Sequence, residues 1–116
     1  MGREEYNTKD LGVVVDETDQ AVDTYAGDPI PMRETGWGKM ALDVTLVNSE
    51  LKVLARASKE SATYRDGTER IFGVATITTT GYYEMVDATE ALDLKFQWTT
   101  SDTTNTTKVA ALKMRP

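Results

Sequence analysis

Residues 92–98 read Leu92-Asp93-Leu94-Lys95-Phe96-Gln97-Trp98, with a large apolar side chain at every second position. Side chains of a β-strand point alternately to its two faces, so this run predicts a strand with one face in a hydrophobic core and the other in water. Phe96 and Trp98 are therefore expected to be core residues rather than a platform on which bases or sugars stack.

The same alternation recurs in other segments of the chain, before and after this run. Leu42, Val44 and Leu46 predict a second strand, and we expect them to face one core with Leu92, Leu94 and Phe96. Further strands are predicted at residues 51–55, 69–80, 82–86 and 108–114.

Two dipeptides are turn candidates between these strands. Asn48-Ser49 separates the strands at 42–47 and 51–55. Asp66-Gly67 predicts a type I′ hairpin turn before the strand at 69–80, because that turn needs residues that tolerate positive φ.

This spacing, about ten residues from one strand to the next, predicts an all-β fold. We expect an antiparallel β-sandwich or a jelly-roll-like barrel of six or seven strands, and the 18 threonines agree with it because Thr favours the exposed face of a sheet. The 116 residues fit one domain. Leu, Ile, Val and Phe together make up 23 of them, so the core is thin.

Residues 1–37 differ from the rest and predict an extended, acidic N-terminal arm with one short strand at Leu11–Val15. The sequence 27–31, Gly-Asp-Pro-Ile-Pro, favours an extended path. Residues 1–35 carry nine acidic and three basic side chains, whereas residues 36–116 carry ten of each. We expect a chain without residues 1–35 to keep the β-sandwich body, 38–116, partly folded, unless Val13–Val15 supplies an essential strand.

The composition excludes several classes of function. The chain has no Cys and no His, which removes disulfides, thiolate or imidazole metal sites, and Ser-His or Cys nucleophiles. The net charge is −6, and the chain has no basic face for nucleic acid and no apolar run that would span a membrane. We therefore predict no enzyme, no cofactor and no catalytic, cofactor-binding or metal-ligating residue.

Three local motifs agree with this prediction. Asp16, Glu17, Asp19 and Asp23 lack the glycine turn and spacing of a calcium loop, which favours a solvated segment. Gly36-Trp37-Gly38 is too short to cradle a phosphate. The glycosylation sequon at residues 105–107, Asn-Thr-Thr, is expected to be a turn.

The segment from residue 83 to residue 111 carries a more specific pattern. It runs Tyr83-Glu84-x-x-Asp87-Ala88-Thr89-x-x-Leu92-Asp93-Leu94-Lys95-Phe96-Gln97-Trp98, then Ser101-Asp102-Thr103-Thr104 and Val109-Ala110-Ala111. This order resembles small β-sandwich virion proteins of tailed bacteriophages, such as capsid decoration or accessory subunits. The resemblance implies a structural subunit of the virion, assembled in the host cytoplasm. Its implied partners are capsid or other virion protein subunits, in a homo-oligomer or bound to a lattice.

Three hypotheses follow from the residues and this resemblance. The first is a virion structural protein, with a capsid decoration or minor capsid role preferred to a tail role. The second is a β-sandwich module that binds carbohydrate or a cell surface, which exposed aromatic residues in a groove, particularly Trp37, Tyr64, Tyr82 or Tyr83, would favour. The third is a regulatory or assembly protein whose acidic arm folds on a basic partner.

Overall fold

A computed structural model describes residues 8–86 and 89–115. In these ranges the chain forms nine β-strands, a single-turn 3-10 helix at Arg33–Thr35 and one short α-helix. The strands are β1 (Thr8–Thr18), β2 (Thr24–Ala26), β3 (Ile30–Pro31), β4 (Lys39–Val47), β5 (Ser49–Arg56), β6 (Arg65–Asp66), β7 (Gly81–Glu84), β8 (Asp93–Thr100) and β9 (Thr106–Met114), and the helix is α1 (Thr68–Phe72).

The strands form two antiparallel sheets that pack face to face. The front sheet has the order β1-β9-β4-β7, and the back sheet has the order β2-β8-β5-β6 with β3 also paired to β8. The predicted antiparallel β-sandwich is confirmed. The structure has more strands than the predicted six or seven because β2, β3 and β6 are only two or three residues long. Segments this short carry no alternating pattern.

The core lies between the sheets and contains the alternating residues of β8 as predicted. Leu94, Phe96 and Trp98 are buried, while Lys95 and Gln97 lie on the opposite face. The predicted positions in β4 are buried too, but Leu92 precedes β8 and is only partly buried. The buried apolar cluster consists of Val15, Ile30, Met32, Met40, Leu42, Val44, Leu46, Leu51, Val53, Ile71, Phe72, Ile77, Met85, Leu94, Phe96, Trp98, Val109 and Ala111.

The N-terminal third is integrated into this sandwich, which corrects the prediction of an arm beside a body that begins at residue 38. β1 pairs with β9 from Thr8 to Thr18, with irregular register near Gly12, whose φ is +67°. Val15 of β1 and Ile30 of β3 are buried in the core. The local sequence predicts a strand only at residues 11–15. The rest of β1 is a strand because it pairs with β9, which lies far away in the sequence. Residues 1–7 of the predicted arm lie outside the described residues.

Hydrogen bonds also tie the segment after β1 to the β8–β9 connection. Asn105 is 2% exposed, and its side-chain amide donates to the carbonyl oxygens of Gln20 and Asp102, while its Oδ1 accepts from the Gln20 amide. The Gln20 side chain in turn accepts a hydrogen bond from Trp98 Nε1 at 2.9 Å. Asn105 is thus a buried structural residue that directly precedes β9, and Thr106 and Thr107 belong to β9 itself. The sequon therefore does not form the predicted turn.

The turn at Asn48 has the predicted place but connects the two sheets rather than the two strands of a hairpin. β4 belongs to the front sheet and β5 to the back sheet, and Asn48 is the one residue between them. Its φ is +48°, a left-handed conformation that Asn tolerates better than most residues. Its side-chain amide donates to the Thr104 carbonyl oxygen at 2.7 Å, which stabilises this sharp corner.

The predicted hairpin at Asp66-Gly67 and the strand at 69–80 are wrong. Gly67 has a φ of −112°, and the α1 helix begins after it. The Asp66 carboxylate accepts hydrogen bonds from the amide and hydroxyl of Thr68, an Asx turn that starts the helix instead of a hairpin. Gly73 then ends the helix at a φ of +79°.

Candidate functional site

The outer face of the front sheet carries a group of apolar side chains although it is turned away from the core. Strand alternation places one side chain in two on this face, and several of these are Ala, Val, Leu or Tyr rather than polar residues. We call the following residues the front face: Asp10, Val13, Ala41, Asp43, Tyr82, Ala110 and Leu112. Register places them side by side, since Ala41 lies opposite Leu112 and Asp43 lies between Ala110 and Tyr82.

Small side chains leave a shallow depression in this face. It has a volume of about 170 Å³, and its lining includes Ala41, Ala110 and Leu112 together with Asp10 and Asp43. Two large side chains of the face stand in solvent, because Tyr82 is 67% exposed and Val13 is 50% exposed. An apolar strip with a projecting tyrosine has the composition that protein interfaces favour.

Carboxylates lie among the apolar side chains of the front face and at its edge. Asp10, Asp43 and Glu84 lie in the rows that contain Ala41 and Ala110, and Asp16 lies one row further, opposite Lys108. The Tyr82 hydroxyl donates to Glu84 Oε1 at 3.0 Å, and this hydrogen bond raises the pKa of Tyr82. The negative charge favours a partner surface that presents Lys or Arg side chains.

A second concave site, which we call the groove, lies where β5 ends and β8 begins. Its volume is about 590 Å³, and its lining includes Ala55, Ala57, Ala62 and Ala91. A neighbouring depression continues past Ala57 towards Arg33. The charged residues along the two depressions are the cations Arg33, Arg56, Lys59 and Arg65 and the anions Glu60 and Glu90.

Tyr64 and its charged neighbours form a rigid wall beside the groove. The Arg56 guanidinium donates two hydrogen bonds of 2.9 Å to the two carboxylate oxygens of Asp93. The Tyr64 ring lies under two cations, with Lys95 Nζ 4.7 Å and Arg56 Cζ 5.1 Å from its centroid. Burial raises the pKa of the Tyr64 hydroxyl, and the Asp93 carboxylate adds to this effect. The ring is therefore occupied by protein cations and is not presented to a ligand.

The Arg56–Asp93 pair predicts a loss of stability in acid. Burial alone would raise the pKa of Asp93, but the hydrogen bonds and charge of Arg56 hold that pKa below its usual value. The stabilisation is therefore fully present above about pH 4, the pKa of an unfolded Asp, and is lost as the pH falls through the lower pKa of the folded state. The free energy of unfolding in urea, measured at a series of pH values from 7 to 2, shows this loss.

The matched variant is Asp93→Asn. At pH 7 we expect it to lower the free energy of unfolding by about 1.5–3 kcal/mol, the range for a hydrogen bond to a charged group. Its pH dependence should be shallower than that of the parent, although Asp66, whose pKa is also lowered, retains part of it. Identical pH dependence in the two proteins would contradict this assignment.

The four aromatic residues that would have favoured a sugar-binding groove do not meet. Trp37 is partly buried beneath Arg115, whose guanidinium carbon lies 4.3 Å from the ring centroid. Tyr64 lies beside the groove, and the Tyr83 hydroxyl donates to the Thr79 carbonyl oxygen. Tyr82 alone of the four stands mostly in solvent.

The acidic residues considered as metal ligands lie along one exposed path. Asp16 and Glu17 belong to β1, whereas Asp19 and Asp23 follow it. Within residues 8–86 and 89–115, no group of three or more Asp or Glu side chains is arranged to hold a metal ion. No helix in that part of the chain is long and apolar enough to cross a membrane.

Sequence reasoning missed the front face, although a signal for it was present. Residues 109–112, Val-Ala-Ala-Leu, are apolar at four successive positions, so both faces of β9 carry apolar side chains. A strand that faces water on one side should alternate instead. The groove had no comparable signal, because chain segments distant in sequence form it.

Comparisons with known proteins bear on the fold. No family model matches the chain, and a search of curated proteins finds no match. Among solved structures, the SPBc2 prophage-derived protein YomS is similar over 91% of this chain and 93% of its own length, with 11% identity and a TM-score of 0.55. The Yersinia pseudotuberculosis-derived mitogen is similar over 82% of this chain and 86% of its own length, with 10% identity and a TM-score of 0.44. The chain therefore shares a β-sandwich fold with a prophage-derived protein.

Proposed function

We propose that this protein is a non-enzymatic structural component of a phage virion, a capsid decoration or minor capsid protein. It attaches to neighbouring virion subunits through protein–protein contacts at the front face. The observation that carries this proposal is the exposed strip around Tyr82, held on a rigid sheet and flanked by carboxylates. The fold shared with a prophage-derived protein supports the phage assignment.

The physical basis for attachment is the combination of apolar side chains with carboxylates that lie among them and at their edge. Burying Val13, Tyr82 and Leu112 against a partner removes apolar area from water, which favours association. The carboxylates around them steer a basic partner surface into register and repel an acidic one. The resulting complex would be assembled in the host cytoplasm and remain in the virion.

The carbohydrate-binding alternative has less support from the geometry. A sugar site needs aromatic rings that line one groove, but Trp37 and Tyr64 are covered by cations and Trp98 is buried. Tyr82 projects from a nearly flat face rather than a cleft.

Particle fractionation tests the proposal. Phage particles from the strain that encodes the chain are purified on a density gradient, and the chain is counted against the major capsid protein by mass spectrometry. We expect the parent protein to copurify at a fixed ratio. The double variant Asp43→Lys and Tyr82→Ala should be reduced about tenfold or more, because loss of a single central interface residue costs about 2 kcal/mol.

The control is Glu50→Lys, which makes the same change of charge on the back sheet and should incorporate like the parent. Raising the salt to about 1 M, where the Debye length is about 3 Å, should release parent protein from the particles. Absence of the parent chain from purified particles would contradict the proposed function. Normal incorporation of the double variant would show that attachment uses another surface.

A further inference from the structure

The charges of the front face and the groove are opposite in sign. The outer side of the front sheet carries the carboxylates of Asp10, Asp16, Asp43 and Glu84 against the cations Lys39 and Lys108. The groove and its continuation carry Arg33, Arg56, Lys59 and Arg65 against Glu60 and Glu90. The first surface therefore has an excess of two acidic charges. On the second, Arg56 is paired with Asp93 and Arg33 with Glu90, which leaves Lys59 and Arg65 against Glu60, an excess of one basic charge.

Their shapes are complementary as well. Tyr82 projects from the front face with 67% of its surface exposed. The groove is concave, with alanines in its lining, and its volume of about 590 Å³ lies in the range of roughly 300–1,000 Å³ that accommodates ring-sized groups. Alanine side chains leave space for an aromatic ring, while Arg65 stands exposed at one side.

One molecule cannot bring these two surfaces together. β1, β9, β4 and β7 carry the front face, whereas the end of β5, the start of β6 and the connection between these two back-sheet strands carry most of the groove. Their partners must therefore come from other molecules. Two surfaces of opposite charge and shape on different sheets are suited to contact between successive copies of one chain.

We propose that the groove binds the front face of a second copy of this chain, with Tyr82 entering the groove and Asp43 pairing with Arg65. This inference rests on the front face assigned in the proposed function and names its neighbour as another copy. Because the contact joins two different surfaces, a pair of copies leaves one front face and one groove unused. Head-to-tail addition then continues until a ring closes, or it forms a filament.

Sedimentation velocity on the purified protein tests the contact without any virion component. At low salt and concentrations up to about 1 mM, we expect the parent to rise above the monomer mass of 12.8 kDa. Asp43→Arg alone and Arg65→Asp alone should remain monomers, because each places like charges across the contact. Circular dichroism confirms that each variant is folded.

A mixture of two charge-reversed variants shows whether the variants fail to associate because this particular contact is broken or for an unspecific reason. An equimolar mixture of the Asp43→Arg and Arg65→Asp variants should assemble, because each then meets an opposite charge on the other. Ala62→Trp should block assembly by filling the groove without changing charge, and Glu50→Arg should assemble like the parent. A parent protein that stays monomeric at about 1 mM, or single variants that assemble like the parent, would overturn the inference.

The two proposals can fail separately. If the chain self-associates with this charge pattern but is absent from particles, the proposed head-to-tail contact is supported and the proposed virion function is contradicted. If the chain copurifies with particles but is monomeric in solution at every concentration, the proposed head-to-tail contact is contradicted and the proposed virion function is supported.

Discussion

A chain that lacks residues 1–35 is expected to be insoluble or unfolded, with its β-sheet circular dichroism lost. The deletion removes β1, β2 and β3 and the buried side chains of Val15, Ile30 and Met32. Each buried side chain contributes about 1.5–3 kcal/mol, and β9 and β8 also lose strand partners. The sum is comparable to the whole free energy of unfolding of a small domain, about 5–15 kcal/mol.

The control deletion removes residues 1–7 and none of the described strands. We expect that protein to be folded, with a cooperative urea transition. If the chain that lacks residues 1–35 still unfolds cooperatively, the original expectation of an arm attached to an independently folding body would be correct. It would also mean that β9 tolerates exposure of the edge that β1 covers.

Phe96→Ala is expected to lower the free energy of unfolding by about 3–5 kcal/mol. Phe96 is 2% exposed in the middle of β8, a strand that pairs with β2, β3 and β5. Removing the ring loses its transfer free energy and leaves a cavity that two hydrogen-bonded sheets can close only partly. Chemical denaturation at pH 7 gives the value directly.

The neighbouring residue supplies the control for this substitution. Gln97 lies on the opposite face of β8 and is partly exposed, so Gln97→Ala should change the free energy of unfolding by about 0.5 kcal/mol or less. A cost below about 1 kcal/mol for Phe96→Ala would show that the ring does not pack in the core as described.

The long strands were predictable from sequence because their own side chains specify which face is buried. β4, β5, β8 and β9 carry runs in which burial follows a period of two, and the pattern survives whatever the partner strands are. β2 and β3 were not predictable, because they are strands only through hydrogen bonds to β8. Gly27 and Pro29 lie between them and Pro31 ends β3, and these residues locally favour a loop.

The region after β5 misled the sequence analysis for a different reason. Thr76, Thr78 and Thr79 have high β propensity, yet of residues 73–80 only Ile77 forms a bridge, to Leu51. Local propensity was overridden by the Asx turn at Asp66 and by burial of Ile71 and Phe72, which the helix directs into the core. Tertiary packing decides such segments, and one sequence does not display it.

The sequence predicts some of the residue types that form the candidate site, but not where in the fold they come together. The net negative charge was visible in the sequence, although it was assigned to residues 1–35, whereas the exposure of Tyr82 was not. The association of Asp10 with Asp43 was not, because it depends on β9 lying between β1 and β4. Sheet order, rather than sequence distance, brings those carboxylates to one face.

The pairing of β1 with β9 also constrains how the protein is made. A ribosome releases β1 first, but its partner, residues 106–114, emerges only near the end of the described chain. Until then β1 has no strand partner in the front sheet, and that sheet cannot form. Contacts this distant in sequence give a high contact order, so we expect folding in milliseconds to seconds once residues 106–114 have emerged. During that interval the nascent chain is most exposed to aggregation and to chaperones.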